Sequence, residues 1–424
     1  MMEKRIEDSF IAILKEELIP AMGCTEPIAL AYASAKAREI LGALPEKIVA
    51  KCSGNMIKNV RCVAIPNSGG MTGIESACAL GAIAGNAKAG MEVLKIVDDK
   101  GRKSAKNFVE EKRCRVEVLD SGISLHFVVC LSAGADSVSV EVRHGHTNIV
   151  QILENNQVYF EKSKGTESET DSCPERTLLT VERIKQFADE VPISRIKDLH
   201  DRQIQCNMDI AYEGMTGKYG LGIGKMLKEM YPDSVVSCMK SYAGAASEAR
   251  MDGCDMPVVI NSGSGNQGIA SSVPIIVYAR ENKIPPEKLY RALAFSGLLT
   301  IYQKEFIGKL SAFCGAVSAS CAAGAAITYL EGGSIKQIKS TIDNTLANIP
   351  GILCDGAKIS CAAKIASSLD AAMMAHYLAM NGRAYEAYTG ILREEAGETI
   401  RCVGYIGKVG MAQTDKEILK MMLE

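Results

Sequence analysis

The sequence predicts an α+β fold: a mainly helical domain plus a smaller α+β domain with an antiparallel sheet. Valine-rich alternation is concentrated in residues 113–143, and strand signals nearly vanish after residue 176. The later segments are of helical length and rich in Ala, Gly and Ser, which permit close helix packing. With 424 residues, the chain has the length for two or three domains and a large core. The expected divisions are N-terminal helices at 1–43 that pack with the C-terminal domain, an α+β domain at 44–165 and a helical domain at 177–424. The polar stretch "EKSKGTESETDSCPER", residues 161–176, reads as a linker.

Residues 3–42 read as two helices, the first amphipathic. The second opens within "PAMGCTEPIALAYASAKAREI", residues 20–40. Thr25 or Glu26 can cap it and Pro27 suits its first turn, which leaves Cys24 one step outside. "KIVAKCSG" gives a strand at 47–52. "MTGIESACALGAIAG" gives a helix after the loop "PNSGG", and "GMEVLKIVD" continues its apolar pattern. "RCRVEVLD", "SLHFVVCLSA" and "DSVSVEVRHG" alternate as antiparallel strands, with "NQVYFEK" as a further one. Helices are expected over 179–190, 201–212, 218–230, 238–250, 268–281, 286–301, 310–331, 334–346, 357–381 and 414–423.

A formal charge of −2, from 48 basic and 50 acidic residues, makes no electrostatic footprint for nucleic acid. The absence of Trp removes the strongest base-stacking platform. Charges run through the first twenty residues, unlike a signal peptide. Apolar runs such as "GAVSASCAAGAAITYL" are short and built of small residues, so they read as buried helices and not as membrane spans. The expected compartment is the cytoplasm. Fifteen cysteines, an odd number at irregular spacings, do not make a disulfide framework; most read as small core residues.

Gly263-Ser264-Gly265-Asn266-Gln267-Gly268 matches G-x-G-x-x-G. Pro274 soon after it and the lack of a following parallel strand disfavour a dinucleotide site. An anion-binding loop and a tight turn both remain open. "PNSGGMTGIESA" at 66–77 echoes "INSGSGNQGIASS" at 260–272. If both loops face one cleft, Asn67, Ser68, Gly69, Asn261, Ser262 and Gly263 would orient an amino acid; taken singly, each is equally a capping residue. Five histidines form no metal-binding spacing, and "RHGH", with His144 and His146, reads as a solvated strand end before a zinc pair. No P-loop or nucleophile elbow is present, and no lysine has a recognisable pyridoxal-phosphate context. Cys314 and Cys321, like Cys354 and Cys361, stand seven residues apart on helical segments. Cys24, Cys314 and Cys354 fall at helix edges, where backbone N–H groups favour a thiolate.

"GCTEPIALAYASAKA", "NSGSGNQG", "FCGAVSASCAAGAA" and "ILCDGAK", in this order over nearly the full chain, resemble the L-cysteine desulfidase family. That family is related to the α chain of iron–sulfur L-serine dehydratases. The resemblance implies an oxygen-sensitive [4Fe–4S] enzyme without pyridoxal phosphate, its catalytic domain the helical one. It would convert L-cysteine to pyruvate, ammonia and hydrogen sulfide. The family's cluster ligands map onto Cys24, Cys314 and Cys354. The related dehydratases keep their second and third ligands close in sequence, which makes Cys361 the reserve for Cys24. Glu26 and Lys358, beside these ligands, are the candidate general bases. L-serine dehydration by the same mechanism is the alternative, and a non-catalytic amino-acid binding or sensor protein is the alternative of another class. The implied partner is a small amino acid, and association into a homo-oligomer is compatible with the chain.

Overall fold

In the computed structural model, which describes residues 2–162, 175–308 and 310–424, a six-stranded sheet sits beside a large helical body. The chain begins with α1 (Lys4–Glu17), β1 (Pro20–Met22) and α2 (Thr25–Leu41). It continues through β2 (Lys47–Cys52), α3 (Gly54–Val60), α4 (Gly73–Ala84) and α5 (Asp99–Glu110). Five strands follow, β3 (Cys114–Val118), β4 (His126–Ala133), β5 (Asp136–Arg143), β6 (Ile149–Glu154) and β7 (Gln157–Glu161), of which β4 to β7 form a meander. Most of the stretch read as a linker, residues 163–174, lies outside the described residues.

The strand order is β3-β2-β4-β5-β6-β7. Here one expectation is corrected: β3 runs parallel to β2, with Ile48 opposite Cys114, while the other neighbours are antiparallel, so the sheet is mixed. Three helices separate β2 from β3, and a crossover of that length returns the chain in the same direction. Alternation within a strand carries no record of its partner's direction. One face of the sheet is buried, through Val129, Leu131, Val138, Val140 and Val142, and α2 and α4 cover it.

The helical body holds α6 (Val181–Glu190), α7 (Ile193–Gly214), α8 (Ile223–Met230), α9 (Val235–Met251), β8 (Pro257–Val259) and α10 (Gly265–Glu281). It is completed by α11 (Pro286–Ile307), α12 (Gly315–Leu330), α13 (Ile335–Asn348), α14 (Cys361–Met380), α15 (Ala396–Tyr405) and α16 (Ala412–Leu423). At its centre, α12 packs on α10, α11, α13 and α14 and is buried along almost its whole length, which its run of Ala, Gly, Ser and Cys allows. The N-terminal helices divide: α1 packs on α11 and α7, whereas α2 belongs to the sheet. Between them, β1 pairs antiparallel with β8, Ala21 opposite Val258, and stitches the N-terminal segment to the helical body. No helix among the described residues is long and apolar enough to cross a membrane.

His200 on α7 is fully buried, and burial pushes its pKa down to about 4. The unfolded chain therefore binds more protons than the folded one between that value and an ordinary His pKa near 6.5, so stability drops as pH falls through this window. Acidification from pH 7 to 5 should cost the wild type about 2 kcal/mol more than His200→Asn, read by denaturant unfolding at both pH values. Equal losses would contradict it.

Candidate active site

Residues from distant parts of the chain line one cavity of about 80 Å³, four cysteines among them: Cys24, Cys314, Cys354 and Cys361. Local structure explains their arrival. Cys24 follows β1 directly and is the N-cap of α2 (φ −77°, ψ 133°), so the cap is neither Thr25 nor Glu26. The β1–β8 pairing sets this helix start beside the loop after β8, where the Thr25 hydroxyl donates to Gly263 O at 2.8 Å. Cys314 is the N-cap of α12, and Cys361 is the first residue of α14. An antiparallel bridge between Phe313 and Leu353 joins the other two loops. Cys314 N–H donates to Ile352 O at 2.8 Å, and Cys354 N–H donates to Ala312 O at 2.7 Å. Three of the four thiols thus stand at helix N-termini, where partial positive charge favours a thiolate.

The sulfurs of Cys314 and Cys354 share a hydrogen bond, which lowers the pKa of Cys354; nearby Lys58 assists. Lys58 is buried, and its ammonium donates to Cys354 O at 3.1 Å while pairing with Asp415 of α16. Cys361 packs with Cys24, Val63 and Met251 in a small apolar cluster and feels the charge of Cys354. Burial, then Glu26, raises the pKa of Cys24, whose thiol donates to Glu26 Oε2 at 3.0 Å. Among the described residues no three His, Cys, Asp or Glu side chains gather closely enough to hold a single metal ion. The thiols fall in two neighbouring pairs on the cavity wall, Cys314 with Cys354 and Cys24 with Cys361.

Of the residues expected at the site, Glu26, Ser262 and Gly263 line this cavity with the cysteines. Others stand elsewhere. Asn67 points into its own module, donating to Leu94 O at 2.8 Å and accepting from Arg102 at 2.6 Å. Ser68 and Gly69 line a separate open pocket with Arg102, Lys103 and Lys106. The two Asn-Ser-Gly loops are built differently, with positive φ at Asn67 and Gly69 in one and at Ser262 and Gly263 in the other. Asn261 is fully buried and structural, its amide donating to Gly297 O at 3.2 Å. Lys358 lies off the cavity wall because Asp355 holds its ammonium. The glycine string serves close packing: a Cβ on Gly268 would stand 2.0 Å from Val259 O, and one on Gly265 2.2 Å from Arg250 Nε. Because β8 has β1 as its antiparallel partner and lies in no parallel sheet, a dinucleotide fold is absent here.

Sequence reasoning missed Asn59, Arg250 and Lys304 on the cavity wall; it named His146 only as a strand end or zinc pair and Gln267 only within the glycine string, and both line the cavity too. His146 follows β5, where positive φ at His144 ends the alternation; it approaches Glu26 Oε1 at 4.0 Å, while His144 is exposed. Lys304 is buried near Cys314 and Cys354, and burial pushes its pKa down to about 8. Its position was readable: Thr300, Lys304 and Ile307 share the core-facing stripe of α11.

Comparison with known proteins agrees with the resemblance read from the motifs. The family model described as serine dehydratase alpha chain matches residues 88–420. A UPF0597 protein of Treponema denticola is 45% identical over 428 residues, covering 100% of this chain and 99% of that protein. A UPF0597 protein of Desulfitobacterium hafniense is 45% identical over 421 residues, covering 99% and 98%. One of Fusobacterium nucleatum is 42% identical over 426 residues, covering 99% and 100%. With most of its length matched by that family model and a helical body that carries cysteines to one cavity, the chain belongs to the serine dehydratase alpha chain family.

Proposed function

We propose that the protein is a pyridoxal-phosphate-independent lyase that uses a [4Fe–4S] cluster to eliminate the β-substituent of L-cysteine. The products are pyruvate, ammonia and hydrogen sulfide, one water being consumed. The observation that carries this reading is the convergence of thiols, three of them at helix N-termini, on one cavity that also holds buried acid–base groups.

The donor set fits the cofactor. Each iron of a cluster takes its own thiolate, and four thiols line this one cavity. Cys24, Cys314 and Cys354 would hold the cluster. Cys361 is the alternative third ligand, favoured by its electrostatic proximity to Cys354. Bound there, such a cluster supplies a Lewis-acid iron that stabilises the departing thiolate or hydroxide.

The chain's own residues supply the rest. Lys304 accepts the α-proton at Nζ: burial holds its amine close to working pH, where a general base is most effective. Glu26 is the second candidate; its Oε1 has Asn59 at 3.4 Å and His146 at 4.0 Å. Once the leaving group has gone, the enamine is hydrolysed in water. The buried walls limit water access until that step.

L-serine is the alternative substrate by the same mechanism, differing in leaving group alone. The test is pyruvate and sulfide release by anaerobically reconstituted protein given each amino acid. Pyruvate with equimolar sulfide from L-cysteine, at a kcat/KM at least about tenfold above that for L-serine, is the expected result. Preference for L-serine would reassign the substrate, and pyruvate from neither would overturn the lyase.

A further inference from the structure

Arg250 stands on the cavity wall near enough to Cys24 for its charge to favour the thiolate, yet its own hydrogen-bond donors are left unfilled. It lies in the last turn of α9, is 2% exposed, and lines the cavity. Its Nε has no hydrogen-bond partner, and its Nη1 has only the Met251 sulfur at 3.9 Å. No carboxylate among the described residues forms an ion pair with it. The acids beside it in sequence are committed elsewhere. Glu248 accepts from the N–H groups of Leu221 and Ile223 at 2.6 and 2.8 Å, and Asp252 accepts from Gly220 N–H at 2.9 Å. Across the cavity, Glu26 faces Cys24, Thr25 and Asn59. A buried cation with unfilled hydrogen-bond donors is costly, and an anionic ligand that accepts from them removes that cost.

The surroundings are shaped to keep the guanidinium where it is. The absence of a side chain on Gly265 leaves the space that Arg250 Nε fills. Gly265 is also the first residue of the 17-residue α10, whose N-terminal dipole adds positive potential at the same wall. Two residues on, Gln267 is 4% exposed, lines the cavity and has an unpartnered amide oxygen. The wall therefore offers a planar fork of donors suited to a carboxylate and, two residues beyond the glycine that Arg250 packs on, an acceptor suited to an ammonium group.

We propose that Arg250 binds the α-carboxylate and Gln267 the α-ammonium of the substrate, so that the site selects free α-amino acids. This deepens the lyase reading and rests on it for the ligand class. It also moves amino-acid recognition away from Asn67, Ser68 and Asn261, which face elsewhere.

The test compares L-serine with ethanolamine, the same molecule without its carboxylate, by calorimetric titration of anaerobically reconstituted full-length protein. Wild type should bind L-serine about 100-fold more tightly. Arg250→Met should bring that ratio close to one with iron content unchanged, and Arg250→Lys, which keeps charge but loses the fork, should leave about a tenth of it. If Arg250→Met fails to fold, Gly265→Ala serves, since its methyl group pushes the guanidinium aside and should lower the ratio at least tenfold. Equal binding of the two ligands by wild type, or an undiminished ratio in the variants, overturns the assignment. These outcomes are independent of turnover: discrimination without pyruvate sinks the lyase and keeps the anchor, whereas pyruvate without discrimination sinks the anchor alone.

Discussion

Cys314→Ala and Cys354→Ala, prepared without oxygen, should each retain less than about a tenth of wild-type iron and lose pyruvate formation by about 10³-fold or more. Replacing a residue that only supports a metal ligand costs about 10–100-fold, so the larger loss separates ligand from support. The Phe313–Leu353 bridge joins the loops that carry the two thiols, and backbone hydrogen bonds fix both loops. Removing one sulfur leaves that scaffold intact, so the melting temperature of the iron-free protein should hardly change. Cys24→Ala should behave as these two do, and Cys361→Ala should keep its iron. The reverse pattern for this last pair would move the third ligand to the first residue of α14. Full iron in both Cys314→Ala and Cys354→Ala would remove the ligand assignment altogether.

Lys304→Met should lower kcat by about 10²–10⁴-fold while iron content and KM stay near wild type. Loss of α-proton exchange with deuterated solvent should accompany it, a readout that a packing defect does not move. The amine is neutral only as pH rises through about 8, so wild-type log kcat should climb with pH up to that region. A thiolate-rich, cluster-loaded cavity shifts this limb upward and never downward, because negative charge favours the ammonium form. Glu26→Gln should cost about tenfold or less. If instead Glu26→Gln abolishes exchange and Lys304→Met does not, the proton acceptor is the carboxylate beside Cys24.

These expectations draw on a site that was half legible. Cys24, Cys314, Cys354, Cys361, Glu26, Ser262 and Gly263 could be named because they sit in strings whose cysteines and glycines are unusual at helix starts. Arg250 could not: a basic residue in the last turn of a helix is ordinary, since it complements the helix dipole. What makes it unusual is its burial against Gly265 of α10, one of the helices that pack on α9. Asn67 and Lys358 misled for the converse reason. Each neighbours a motif in sequence, but its side chain is captured by a local partner, Leu94 O for one and Asp355 for the other.

The fold follows the same division. β2 and most later helices were readable from alternation and length, which are local properties. The β1–β8 pairing was not, because three-residue strands have no period to detect. That short ladder nevertheless carries Cys24 to the cavity, so the feature hardest to read decides whether this thiol reaches the other cysteines.

The most direct test is iron and acid-labile sulfide analysis of the anaerobically reconstituted wild-type protein, with its spectrum followed as L-cysteine is added. The account predicts about four irons and four sulfides per chain and a spectral change at saturating amino acid, as ligation of an open iron requires. A chain that takes up no iron under these conditions, or a loaded cluster whose spectrum ignores the substrate, would contradict it.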